Sequence, residues 1–145
     1  MLVRLLYASR PLDTIDDRFV QSILESSRRH NPEHGITGLL CTQPGEGVFL
    51  QVLEGARHEV NALYSNIVRD PRHTDVTLLY YAEISERRFA SWKMGSVSLQ
   101  RVNVSTILRY SERSVLDPFS MSGHAAMALL EELAQTAAIV NTDDR

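Results

Sequence analysis

At 145 residues the chain is long enough for one domain with a sizeable core. It carries 15 lysines and arginines against 18 aspartates and glutamates, a net charge of −3 with no basic tract, which argues against nucleic acid as a partner. A lone cysteine, Cys41, rules out an internal disulfide, and no run approaches the ~20 apolar residues that a membrane helix needs.

The first apolar run, Leu2 to Ala8, predicts a strand with Val3, Leu5, Tyr7 and then Ser9 on one face. Arg4 interrupts it, and it is too short for the core of a signal peptide, so a cytoplasmic protein is expected. Ser9-Arg10-Pro11 ends the strand. Asp13 or Thr14 then caps a helix whose inward stripe is Ile15, Phe19, Ile23 and Ser26/Ser27. It closes at Arg28-Arg29-His30-Asn31, because Pro32 and Gly35 forbid its continuation. Ile36 to Thr42 is a second strand, Gln43 to Gly47 a hairpin loop, and Val48 to Leu53 a third strand ending in a Glu54-Gly55 turn. A second helix carries Val60, Leu63, Tyr64 and Ile67 on one stripe and stops at Arg69-Asp70-Pro71. Val76 to Ile84 is a fourth strand, Arg88 to Trp92 a tight connection, and Lys93 to Leu99 a fifth strand.

The order β-α-β-β-α-β-β predicts an α+β fold, the ferredoxin-like split βαβ arrangement with one extra strand in a five-stranded mixed sheet. Both helices of such a unit cover one face. Leu2, Leu6, Val48, Leu50 and Val52 fall on the other and need a cover. Val104 to Arg113 reads as a short helix and Met121 to Ile139 as a longer one, with Ala126, Leu129, Leu130, Leu133 and Ala137 apolar and Glu131, Glu132 and Gln135 wet. These helices are expected to pack on the free face or to dimerise there, which makes a homo-oligomer, a dimer first of all, an expected assembly.

Catalytic signatures are absent: there is no Cys-x-x-Cys, His-Glu-x-x-His, phosphate loop, Gly-x-Ser-x-Gly or Gly-x-Gly-x-x-Gly. His30, His34, His58, His73 and His124 form no metal set by spacing, and no carboxylates pair. What stands out is Gln51, an amide inside the apolar run Val48 to Leu53. Its groups must find partners or cost roughly 1–3 kcal/mol each. Either it is a core amide bonded to a neighbour, or it faces a polar, planar ligand lying on the sheet. Strand parity puts Tyr7 and Gln51 on the helix-covered face of adjacent strands, and puts Trp92 and Met94 on one face of the fifth. Ordinary core packing with a Tyr–Gln hydrogen bond is one reading of this set. The other is an aromatic redox ligand, since a phenol can give an electron and a proton and an amide can exchange donor for acceptor.

Five blocks in register carry a family resemblance: Leu5-Leu6-Tyr7-Ala8-Ser9, His30-Asn31 with Gly35-Ile36-Thr37-Gly38, Phe49 to Gly55, Asp70-Pro71-Arg72-His73, and Arg88 to Gly95. Over residues 2 to 97 the chain resembles the BLUF domain, the blue-light sensor that uses flavin. The resemblance implies a non-covalent FAD, with FMN as the alternative, wedged between the two helices. It implies that Tyr7 donates an electron and a proton, that Gln51 bridges Tyr7 and the flavin edge as the switch, and that Asn31 bonds the carbonyl edge. By the same resemblance His30 lies against the ring system, Ser9 is near the site, and Trp92 and Met94 exchange inward and outward positions. Asp70, Arg72 and His73 match a block assigned to ligand binding, where capping and salt bridging fit equally. The Gln43 to Gly47 loop looks longer than in many members, and Val52 stands where some carry Trp.

The resemblance is to a short stand-alone member: residues 1–100 form the flavin-binding domain and 101–145 a helical extension, without a fused output enzyme. The expected function is a blue-light photoreceptor that does no bond chemistry and signals to an unidentified downstream protein. The alternatives are an acylphosphatase-type enzyme on the same topology and a flavin-free ferredoxin-like interaction module.

Overall fold

The computed structural model describes residues 1–12, 15–16, 18–22, 35–92 and 94–136. The strands are β1 (Leu2–Pro11), β2 (Thr37–Gln43), β3 (Val48–Ala56), β4 (His73–Ile84) and β5 (Gly95–Ser98). The helices are α1 (described over 18–22), α2 (Arg57–Arg69), α3 (Val104–Leu108) and α4 (Gly123–Leu133). The sheet runs β4-β1-β3-β2-β5, antiparallel throughout except for β2 with β5. This is the expected α+β, split βαβ order, with β1 and β3 as central neighbours.

Both faces of the three central strands, β1, β3 and β2, are buried, while β4 stays partly exposed. One core joins Val3, Leu5, Tyr7, Leu40, Phe49 and Leu53 to Ile15 near α1 and Val60 of α2. The stripe of α2 packs as expected, with Val60 buried and Leu63, Tyr64 and Ile67 half-buried against this core. Asp70, ahead of Pro71, is held extended (φ −69°, ψ 121°), which ends α2. The other core joins Leu6, Leu39, Cys41, Leu50 and Val52 to Ile107 of α3, Leu116, and Leu129, Leu130 and Leu133 of α4. Each fully buried leucine there contributes roughly 1.5–3 kcal/mol. The chain therefore covers its second face with its own C-terminal helices. The open face that suggested a homodimer is closed.

Several element boundaries differ from expectation, among them the end of α3, at Leu108 instead of Arg113. Glu54-Gly55 is not a turn: β3 runs through it to Ala56, and α2 starts at the next residue. β4 begins earlier, at His73, because the long β1 continues to Pro11 and offers it partners. β5 is only Gly95–Ser98, and Leu99–Arg101 turns into a 3-10 helix. α4 starts at Gly123, where Ser122 caps it by accepting from Ala125 N at 3.0 Å. A Cβ on Gly123 would stand 2.0 Å from Leu79 O, so the helix lies closer to β4 than any side chain permits. β4 is bulged there. Leu6 pairs Tyr80 and Tyr7 pairs Leu78, and the unpaired Leu79 turns with Tyr80 toward the α4 core. Ala137 and Ile139, expected in this helix, lie outside the described residues, as do Ile23, Ser26, Ser27 and Lys93. Among the described residues, no helix is long and apolar enough to cross a membrane.

Candidate ligand-binding site

Tyr7 on β1 and Gln51 on β3 are direct cross-strand partners, and Leu40 on β2 opposes Gln51 from the other side. The Tyr7 hydroxyl donates to Gln51 Oε1. Gln51 Nε2 in turn donates to Met94 Sδ at 3.3 Å. All three side chains are buried, at 3%, 2% and 0% exposure, on the face covered by α1 and α2. Burial pushes the Tyr7 phenol well above its usual range, and the nearby Tyr64 and Asp70 add to this.

Tyr64 of α2 leans on Tyr7, with ring centroids 5.7 Å apart and a 51° tilt. His73, at the start of β4, stands edge-on to Tyr7 at 6.5 Å. Its Nε2 lies 2.6 Å from Ile67 O and its Nδ1 2.9 Å from Ser9 Oγ. A carbonyl can only accept, so Nε2 carries the proton; in the neutral ring Nδ1 then accepts from the Ser9 hydroxyl. Asp70 and Arg72 engage each other. Asp70 accepts from Arg72 N at 2.9 Å, from Nε at 3.0 Å and from Nη2 at 2.6 Å. These bonds to Arg72 hold the Asp70 carboxyl below the usual carboxylate range, with burial opposing. The pair closes the turn from α2 into β4, the capping geometry that the sequence left open.

Trp92 and Met94 do not share a strand face. Residues 85–92 form no strand and Met94 precedes β5, so the period of two does not apply to this pair. Trp92 N donates to Phe89 O at 3.3 Å in a turn, and the half-buried indole packs on the core of the C-terminal helices, while Met94 belongs to the core of Tyr7. His30 and Asn31 lie outside the described residues. Cys41 is a packed thiol on the far face, pushed up to about 12 by burial. No cluster of His, Cys, Asp or Glu that could hold a metal occurs among the described residues.

Sequence reading passed over two residues. One is Tyr64, placed only as part of a helical stripe. The other is Glu54, a fully buried acid whose Oε2 accepts from Arg4 Nε at 2.8 Å. A basic residue inside one apolar strand and an acidic one inside its neighbour were the available signal.

The donor set fits the edge of a flavin. The Gln51 amide gives an N–H to a thioether, a weak acceptor, so a carbonyl or ring nitrogen of a planar ligand would compete well for it. The phenol behind it is fixed by register and by Tyr64. The chain is similar over 92 residues, at 38% identity, to the photoactivated adenylate cyclase subunit beta of Euglena gracilis; the match covers 63% of this chain and 10% of that protein. The chain thus spans about a tenth of the length of the cyclase subunits it matches. Among solved structures it is similar to BlsA in its photo-activated state, with a TM-score of 0.84 and 29% identity, covering 95% of this chain and 98% of that one. It is also similar to the dark state of BlrB, a BLUF protein, with a TM-score of 0.76, 30% identity, and coverage of 92% and 95%. The family model for BLUF, sensors of blue light using FAD, matches residues 2–95, and the chain belongs to that family.

Proposed function

We propose that the chain is a cytoplasmic blue-light photoreceptor that binds FAD non-covalently over the Tyr7–Gln51 pair, between α1 and α2. In this reading it does no bond chemistry on a substrate and signals to a partner protein. The observation that carries it is the run of contacts from Tyr7 O–H to Gln51 Oε1 and from Gln51 Nε2 to Met94 Sδ.

Excited by blue light, FAD supplies an oxidant able to take an electron from a phenol. Tyr7 is the donor. Its O–H already points at Gln51 Oε1, so the proton has a path along that bond. Burial keeps the phenol protonated in the dark. The electron would pass to the excited ligand, and the Tyr7 proton would pass to Gln51 Oε1 as an Nε2 proton leaves toward the ligand, so the amide would become its imidic tautomer. Rotation or tautomerisation of the amide exchanges its donor and acceptor atoms and breaks the contact with Met94. Ser9, His30 and Asn31 complete the ligand-binding set, with His73 ordering Ser9 and the Asp70–Arg72 pair shaping the turn beside it. Met94 is the contact of Gln51 in this state, and Trp92 responds from the opposite side of the sheet.

FAD is preferred to FMN on the family's description. Residues 1–100 act as the flavin-binding domain and 101–145 as the extension through which the partner is reached. A homo-oligomer, if formed, uses a surface other than the sheet face that α3 and α4 cover. The acylphosphatase-type reading needs a phosphate-cradling loop after the first strand, and Ser9-Arg10-Pro11-Leu12 offers an arginine but no glycine. Instead β1 continues to Pro11, and Ser9 Oγ is engaged by His73.

Purified protein loaded with FAD should be yellow and should show a small, reversible red shift in its light-minus-dark absorption spectrum. A chain that takes up neither FAD nor FMN would remove this reading and leave the flavin-free interaction module.

A further inference from the structure

β3 presents Gln51 to one face of the sheet and Glu54 to the other. Besides Arg4, the Glu54 carboxylate accepts from the backbone N–H of Arg88 at 3.0 Å and of Phe89 at 2.7 Å. Those two donors belong to the connection between β4 and β5, which carries Met94 and which forms no ladder among its described residues. Hydrogen bonds to a buried charge are roughly twice as strong as neutral ones. The side chain of Phe89 is wholly buried in the far-face core, and Arg87 Nη1 reaches Thr37 Oγ1 at 2.9 Å. Further along, Gly38 N donates to Trp92 O at 3.1 Å. Only then does Met94 turn to the opposite face and meet the Gln51 amide. The connection is thus held by the same strand at both faces, through a carboxylate on one side and an amide–sulfur contact on the other.

We propose that Glu54 is a positioning residue for the Gln51–Met94 contact: it fastens the start of the 85–94 connection to β3, which sets how closely the Met94 sulfur can approach the amide. The consequence in light rests on the photoreceptor reading; the fastening itself does not. Glu54→Gln removes the charge and turns N–H groups toward donors. Trp92 is the chain's single tryptophan and lies inside the connection, so its fluorescence reports on this segment directly.

The test is made on the full-length protein in the dark, at equal flavin content, with and without the substitution. Acrylamide quenching of Trp92 should rise at least twofold in Glu54→Gln, and thermal recovery after a light pulse should change at least threefold. Glu54→Asp, which keeps the charge on a shorter stem, should restore part of both. A variant that melts earlier but matches the parent in quenching and in recovery would overturn the proposal and leave Glu54 a merely structural acid. If Glu54→Gln does not fold, the double variant Arg4→Met/Glu54→Gln leaves no unpaired buried charge and is read by the same two measurements and the same criteria. Should the parent bind no flavin, the photoreceptor reading falls, and the quenching of Trp92 alone decides the role of Glu54.

Discussion

Tyr7 and Gln51 face each other without a register slip across β1 and β3, phenol to amide, with both side chains shut away from water. Removing the hydroxyl leaves the amide oxygen without its donor. Tyr7→Phe should cost about 1–3 kcal/mol of stability in chemical denaturation. It should keep the bound flavin and abolish the light-induced red shift. A normal photocycle in that variant would take the donor role away from Tyr7.

Tyr7 also makes stability depend on alkaline pH. Its folded pKa is raised above the ordinary value of 10.0, so the folded state holds the phenolic proton longer than the unfolded chain. The resulting stability is fully present below that value and is lost as pH rises from 10.0 toward the folded value. Denaturation midpoints of the parent should fall above pH 10 more steeply than those of Tyr7→Phe, and parallel curves would contradict this.

Asp70 works in the other direction. Its folded pKa is lowered by Arg72 below the ordinary 3.8, so its contribution is present above 3.8 and disappears as pH falls through the folded value. Both side chains are partly exposed, and solvent screening limits the effect to below ~1 kcal/mol. Asp70→Asn should flatten the acid limb of the stability curve by that amount and leave stability at pH 7 only slightly lowered.

Gly123 tests the seating of α4. A methyl group there would have to displace either Leu79 O or the helix. Gly123→Ala should destabilise by roughly 1–3 kcal/mol, as overpacking does. Differential scanning calorimetry measures the loss, and an unchanged melting temperature would mean that α4 can slide along the bulge of β4.

Cys41 should behave as an inert thiol. Burial raises its pKa to about 12, so almost no thiolate exists at pH 8. A thiol-reactive disulfide reagent should label the folded protein negligibly within minutes and titrate one thiol per chain after denaturation.

The fold was legible where alternation was strong. β1 and β3 alternate cleanly enough that parity alone placed Tyr7 with Gln51 and placed Leu6, Leu50 and Val52 on the opposite side. The same pairing implies one more contact. If position 7 meets 51, position 4 must meet 54, so the buried Arg4–Glu54 pair was within reach of the register argument. Trp92 and Met94 were misplaced for the opposite reason. Their segment is held by side-chain carboxylate and turn hydrogen bonds, not by a ladder, and no periodicity in the residues encodes that. The extension was read correctly as an apolar cover because Leu129, Leu130 and Leu133 recur at helical spacing. Its starting point was not, because it depends on the close approach of Gly123 to the bulge of β4, far away in the chain.

β4 and β5 are the two outer strands of the sheet, and they are consecutive in the chain. The ten residues between them must cross the ends of β1, β3 and β2, a lateral distance of about 19 Å at ~4.8 Å per strand. Fully extended, ten residues reach about 33 Å, and the turn at Phe89–Trp92 consumes part of that length. The segment therefore acts as a strap that ties opposite margins of the sheet together. Between Met94 and β4 it is pinned to the inner strands β2 and β3, at Thr37, Gly38 and Glu54. Those anchors stand between the contact of Met94 with Gln51 and the outer strand β4.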